Sequence, residues 1–212
     1  MNVRWLGNYS FILKVEDKLI VVDPQSGSED DYPIADIVIV TQFHVAHCNM
    51  GLVRKCMGPD TVLLSTSEVA AHIYPCSLFQ VGDNRVFDNI EIFCTPVKND
   101  RPPLRPEQAV SERIGFVIHV KDKTYFFIGD SDFVEGMQDI LPTVLFSPVG
   151  GTLVPDAKQA SDIARIISPK VAIPVHWGGF VGSKDDAELF SDLCREKNIN
   201  VLIPQKGEVF TI

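Results

Sequence analysis

The sequence predicts an α/β protein of four layers, an αββα sandwich in which two sheets pack together with helices outside. Three observations carry that prediction. Short β-branched and aromatic runs crowd the first third of the chain. Helical periodicity appears twice in the last third, each time between strands. No linker-like segment separates the halves, so residues 1–212 read as a single domain. The size agrees, because 212 residues can bury a sizeable core. A composition 45% hydrophobic and 22% charged excludes disorder and low-complexity architectures.

The elements follow in order. Val3 to Leu6, Ser10 to Val15 and Leu19 to Val22 are strands, punctuated by Gly7-Asn8 and Glu16-Asp17-Lys18 and ended by Asp23-Pro24. Asp36 to Thr41 is a continuous apolar run, the mark of a strand covered on both faces. Gly51 to Met57 predicts a helix, Thr61 to Ser65 a strand, and Val69 to Tyr74 a helix stopped by Pro75. Phe79 to Pro96 reads as short strands. Lys98 to Glu107 is a polar, Pro-rich loop with the character of a site-covering segment. Ile114 to Val120 and Thr124 to Ile128 form a hairpin, and Val144 to Val149 is a strand. Pro155 to Ile167 and Asp185 to Lys197 are amphipathic helices flanking a strand at Val171 to His176. Val201 to Pro204 and Val209 to Ile212 close the chain as strands.

Charge narrows the partners. With 28 Asp and Glu against 19 Lys and Arg, the formal net charge is −9. Such a surface repels nucleic acid and anionic membranes, so neither is expected as a partner. No apolar run approaches the roughly 20 residues that span a bilayer. The opening Met1 to Gly7 lacks a signal-peptide layout, and the expected location is cytoplasmic. Five cysteines without CxxC spacing fit reduced, mostly buried thiols. A small-molecule substrate is the expected partner, with homo-oligomerisation left open.

Chemistry is sought where polar residues end strands. Three places qualify: Thr41 to Cys48 with His44 and His47, then Gly129-Asp130, then His176-Trp177-Gly178-Gly179. Imidazoles and a carboxylate together suit Zn²⁺, Mn²⁺ or Fe²⁺ rather than Ca²⁺. Lys98, Arg101 and Arg105 give the Pro-rich loop a basic character suited to a substrate carboxylate or phosphate, or merely to solvent. Trp177 is a candidate pocket wall, and Asp23 a candidate for steadying the site's loops by hydrogen bonds. His72 and His119 lie away from these places, on a helix and a strand.

The run of motifs resembles the metallo-β-lactamase superfamily over nearly the whole chain. It is most similar to that superfamily's small bacterial and archaeal metal-dependent hydrolases, relatives of the ascorbate-phosphate lactonases. VRWLGNYSFIL looks like the family's start, KLIVVDP like its strand ending in Asp-Pro, and ADIVIVTQFHVAH like its Thr-His-x-His-x-Asp-His motif. YFFIGDSD fits the Gly-Asp motif. LFSPVGGTLVPDAKQASDIARIISPKVAIPVHWGGF resembles the Pro-x-Gly-Gly, helix and terminal His segment. The resemblance implies the αββα fold and a hydrolase acting on a small ester, lactone or phosphoester.

It also implies ligands. The family's full site uses five histidines and two aspartates around two metals. Here His44, His47, Asp130 and His176 fall on ligand positions. Gln42 replaces the first motif histidine, Ala46 the motif aspartate, and Asn99 stands in for the third histidine; Asn8 sits where the opening Gly-His has its histidine. A degenerate site follows. Gln42, His44 and Asn99, sharing Asp130, hold a first metal weakly or not at all. His47, Asp130 and His176 suffice for one divalent ion, Zn, Mn or Fe. Without a carboxylate at Ala46, the base would be Asp130 or Asp132. The amides could instead bind His44 and Asp130 into a metal-free network, with the cleft serving a catalytically inactive protein that binds a ligand or partner.

Overall fold

The structure is a computed structural model that describes residues 1–103, 105 and 110–212. Part of the Pro-rich loop predicted over Lys98 to Glu107 therefore lies outside the described residues. The chain divides into two compact units. The first takes Met1–Gln80, Gln205–Ile212 and the described part of Arg105–Arg113; the second takes the described part of Val81–Leu104 together with Ile114–Pro204.

In the first unit, β1 (Asn2–Gly7), β2 (Ser10–Val15) and β3 (Lys18–Val22) form an antiparallel meander. β4 (Ala35–Val40), β5 (Met57–Ser65) and β6 (Ser77–Leu78) add on in parallel. Parallel pairing needs crossovers. The crossover from β4 to β5 contains helix α1 (Met50–Cys56), and that from β5 to β6 contains the single turn α2 (Ser67–Ala70). Asn49 caps α1 by accepting the Gly51 and Leu52 N–H groups. Leu52, Val53 and Cys56 of α1 are buried in one cluster with Val38 and Val40 of β4 and Leu63 of β5.

The second unit carries β7 (Asn84–Phe87), β8 (Ile90–Pro96), β9 (Ile114–Val120) and β10 (Lys123–Phe127) as antiparallel neighbours. β11 (Val144–Pro148), β12 (Val171–Val175) and β13 (Asn200–Val201) then continue in parallel. Phe116, Phe127 and Phe146 stack through its core, with ring centroids 4.6 and 3.9 Å apart. Helix α3 (Ala157–Ile167) buries Ala160, Ile163, Ala164 and Ile167, and α4 (Lys184–Arg195) buries Ala187, Phe190 and Cys194. Each starts at a capping box, Asp156 with Gln159 and Ser183 with Asp186.

The final strand β14 (Val209–Thr211) pairs antiparallel with β1 and completes the first sheet. Each unit thus holds a seven-stranded sheet of the same plan, antiparallel at one end and parallel at the other. No helix among the described residues is long and apolar enough to cross a membrane.

Candidate metal centre

In the first unit, the site begins where β3 and β4 end side by side. Asp23 follows β3 with a left-handed backbone, φ 42°. Its N–H donates to Ile39 O at 2.9 Å. The Asp23 carboxylate is buried and takes three polar contacts. Thr41 N–H donates to Oδ1 and the Thr41 hydroxyl to Oδ2, both at 2.7 Å, while His47 Nδ1 lies 2.7 Å from Oδ2. Burial pushes the Asp23 carboxyl above its ordinary pKa, against the opposing pull of His47 and Thr41. A carboxylate on Nδ1 fixes the His47 ring and gives Nε2 the lone pair, the arrangement that metal-ligating imidazoles use.

The turn after β4 carries both motif histidines. His47 N–H and Cys48 N–H donate to His44 O, each at 2.8 Å, and Ala46 N–H donates to His44 Nδ1 at 3.2 Å. The two rings lie 6.3 Å apart. His47 is fully buried and His44 half-buried. The β1–β2 turn supports them. Asn8 Nδ2 donates to Ala46 O at 2.5 Å, and the Tyr9 ring packs 5.6 Å from His47. Phe43 stacks on His72 at 4.3 Å, so His72 props this turn from a position just beyond α2.

In the second unit, Asp130 follows β10 through Gly129, whose φ is 68°. A Cβ on Gly129 would stand 2.8 Å from Ile114 O. His176 follows β12 with φ 60°, a strained backbone for a histidine that costs about 1–3 kcal/mol. Its cradle is made of glycines: a Cβ on Gly150 would meet His176 O at 2.6 Å, and one on Gly182 would meet Gly150 Cα at 2.7 Å. His176 Nε2 lies 3.5 Å from Asp130 Oδ1. Two donors bound tetrahedrally to one ion at about 2.05 Å stand about 3.3 Å apart. The pair therefore has the spacing of two ligands of one metal, and it is longer than a good N–H···O hydrogen bond.

Around Asp130 the loop after β8 is pinned. Asn99 Nδ2 donates to Asp130 O and Leu153 O, both at 2.8 Å, and Asn99 Oδ1 accepts the Arg101 N–H at 3.1 Å. Ser131 Oγ accepts the Lys98 N–H at 3.0 Å, and Asp132 N–H donates to Lys98 O at 2.8 Å. Arg101 grips Asp132 with both fork nitrogens, at 2.7 and 2.8 Å.

Residues 2–176 match the family model described as the beta-lactamase superfamily domain. The chain belongs to the metallo-β-lactamase superfamily. A UPF0173 metal-dependent hydrolase from Saccharolobus solfataricus is 27% identical over 230 residues, covering 100% of this chain and 99% of that protein. A UPF0173 metal-dependent hydrolase from Methanoculleus marisnigri is 28% identical, covering 98% of this chain and 95% of its own length. A solved metallo hydrolase from the archaeon Ignicoccus hospitalis is 20% identical, with a TM-score of 0.81 over 100% of this chain and 98% of that one. The αββα fold expected from the sequence is the fold of this superfamily, and the chain shares it.

The positions where this chain departs from the superfamily's motifs have structural employment. Ala46 is buried and offers its backbone to His44 and Asn8. Asn99 brackets three backbone segments, and Gln42 is buried. Trp177 is buried with its indole N–H on Pro174 O at 3.0 Å, so it braces the strand end. Lys98 and Arg105 are exposed. Burial pushes the Cys48 thiol up to about 12, which favours its protonated form. Thr41, Tyr9 and the Gly150–Gly182 cradle escaped sequence reasoning; the glycines were visible only as a Gly-Gly signature.

Proposed function

We propose that the protein is a hydrolase working with a single divalent ion, Zn, Mn or Fe, held by His47, Asp130 and His176. Each of the three offers one ligand atom and each is buried. Two imidazoles and a carboxylate are a sufficient donor set with room for water and substrate. The 3.5 Å approach of His176 Nε2 to Asp130 Oδ1 is the observation that carries the reading. The substrate class is a small ester, lactone or phosphoester, a choice that rests on the superfamily's chemistry. The non-enzymatic alternative draws no support from the relatives, which are named as hydrolases.

A bound divalent ion supplies Lewis acidity to a carbonyl or phosphoryl oxygen and lowers the pKa of an attacking water. The chain's own residues do the remainder. Asp23 holds His47 in the ligating tautomer. With alanine at position 46, the proposal assigns Asp130 to orient water and accept its proton. Asp132 is held by Arg101 and steadies the loop instead.

The test is metal content on purified protein supplied with each ion. One ion per chain, lost in Asp130→Ala, supports the reading. Absence of bound metal under every supply sinks it.

A further inference from the structure

The outer face of the first sheet carries a groove that the proposed metal ligands do not touch. Strand alternation buries Val3, Trp5, Phe11 and Leu13 and leaves Asn2, Arg4, Ile12 and Lys14 on the opposite face. Register sets that face out in two rows. Arg4 pairs with Val209 on one side and Ile12 on the other; Lys14 pairs with Asn2 and with Leu19. Asp30 to Pro33, between β3 and β4, form a wall above this floor. Floor and wall bound a cavity of about 340 Å³. That volume suits a small organic molecule. Every one of these residues belongs to the first unit.

The hydrogen bonds leave donors over and acceptors spent. Arg4 is held at two points, with Nε donating to Gly207 O at 3.0 Å and Nη2 to Asp31 Oδ1 at 2.7 Å. Its Nη1 donates to nothing among the described residues. Asp31 Oδ2 accepts the Ser28 N–H and hydroxyl at 2.8 and 2.9 Å, so both Asp31 oxygens are engaged within the protein. Asn2 Oδ1 accepts the Thr211 hydroxyl at 2.8 Å, which leaves its Nδ2 as a donor. Lys14 Nζ donates to a backbone carbonyl, Asp17 O, and no carboxylate pairs with it among the described residues. Arg4 is thus neutralised by Asp31, and Lys14 keeps its charge. Beside these donors the floor is aliphatic, with Ile12 and Leu19 both half-buried.

We propose that this groove is a binding site for a small aliphatic monocarboxylate. The carboxylate lies on Lys14 Nζ, Asn2 Nδ2 and the Nη1 edge of Arg4, and the chain runs over Ile12 and Leu19. Charge-assisted hydrogen bonds from the two cations fix the head, and the chain gains by leaving water. Asp30 lines the same cavity and opposes a second negative charge, which selects a monocarboxylate over a dicarboxylate. Binding is non-covalent and needs no metal, so the site stands independently of the reading of His47, Asp130 and His176.

The experiment titrates octanoate into the full chain, followed by calorimetry and by ¹H–¹⁵N NMR. Saturable binding is expected, with amide shifts at Asn2, Ile12, Lys14 and Leu19. Acetate, which lacks the chain, should bind more weakly. So should octylamine, which Lys14 repels, and suberate, whose second carboxylate meets Asp30. Lys14 is exposed, so Lys14→Gln should fold normally and lower octanoate affinity about tenfold or more. Asp130→Ala should bind octanoate as the wild type does. Absence of saturable binding overturns the proposal. So does octylamine or suberate binding as tightly as octanoate, or an unchanged affinity in Lys14→Gln. Shifts confined to the His44–Cys48 turn, or binding lost in Asp130→Ala, would assign the carboxylate to the metal centre and overturn it as well.

Discussion

Asp23 shows what one buried carboxylate does here. It is fully enclosed, yet Thr41 and His47 occupy both its oxygens. Replacing it by Asn keeps size and removes the charge that faces His47 Nδ1. Asp23→Asn is expected to weaken divalent-ion binding by about 10–100-fold while leaving a folded protein, read by competition against a chelator. Arg101 poses a different question at the same scale. Sequence gave it two roles, substrate recognition or solvation, and its fork lies on Asp132 instead. The pair is partly exposed, with side-chain accessibilities of 18% and 34%, so its worth is modest. Arg101→Ala should cost about 1 kcal/mol in urea unfolding. Its KM for an anionic phosphoester should match that for a neutral ester in proportion to wild type. A selective rise for the anion would restore the recognition role.

At the scale of elements, the glycine cradle of His176 is the tightest constraint. Gly150 cannot accept a Cβ unless His176 O moves, because the two would stand 2.6 Å apart. Gly150→Ala is therefore expected to cost about 1–3 kcal/mol and to lower metal affinity, since the shift falls on a proposed ligand. Circular dichroism melting and metal titration on the same sample check both. Strands and long helices were legible because their periods are strong: α3 was expected over Pro155 to Ile167 and spans Ala157–Ile167. Short elements were not. β5 begins at Met57 rather than Thr61, since Met57 pairs with Ala35 ahead of a register shift that no periodicity encodes. α2 ends at Ala70 rather than Tyr74, whose side chain is 92% exposed and gives the predicted last turn no burial to hold it. Within the site, the histidines and aspartates were readable as motifs. Their partners were not, because Asp23 meets His47 across 24 residues and Asn8 meets Ala46 across 38.

Across the whole molecule, both units repeat one plan, and the strand that leaves the antiparallel part of each sheet ends at an aspartate, Asp23 after β3 and Asp130 after β10. One aspartate lies 2.7 Å from a histidine Nδ1, and the other lies 3.5 Å from a histidine Nε2. The proposed ion would take ligands far apart in sequence, His47, Asp130 and His176, so its binding energy is available only to the folded chain. Linkage then sets the size of the effect. An ion free at about 100 times its Kd adds about 2.7 kcal/mol to unfolding. For a chain of this length that shift corresponds to roughly 5–10 °C in Tm. Chelation with EDTA should lower Tm by that amount, and readdition of Zn²⁺ or Mn²⁺ should restore it. Asp130→Ala should melt at the chelated temperature with or without metal. A Tm indifferent to EDTA in the wild type would remove the ion from the fold's energetics, and with it the proposed centre.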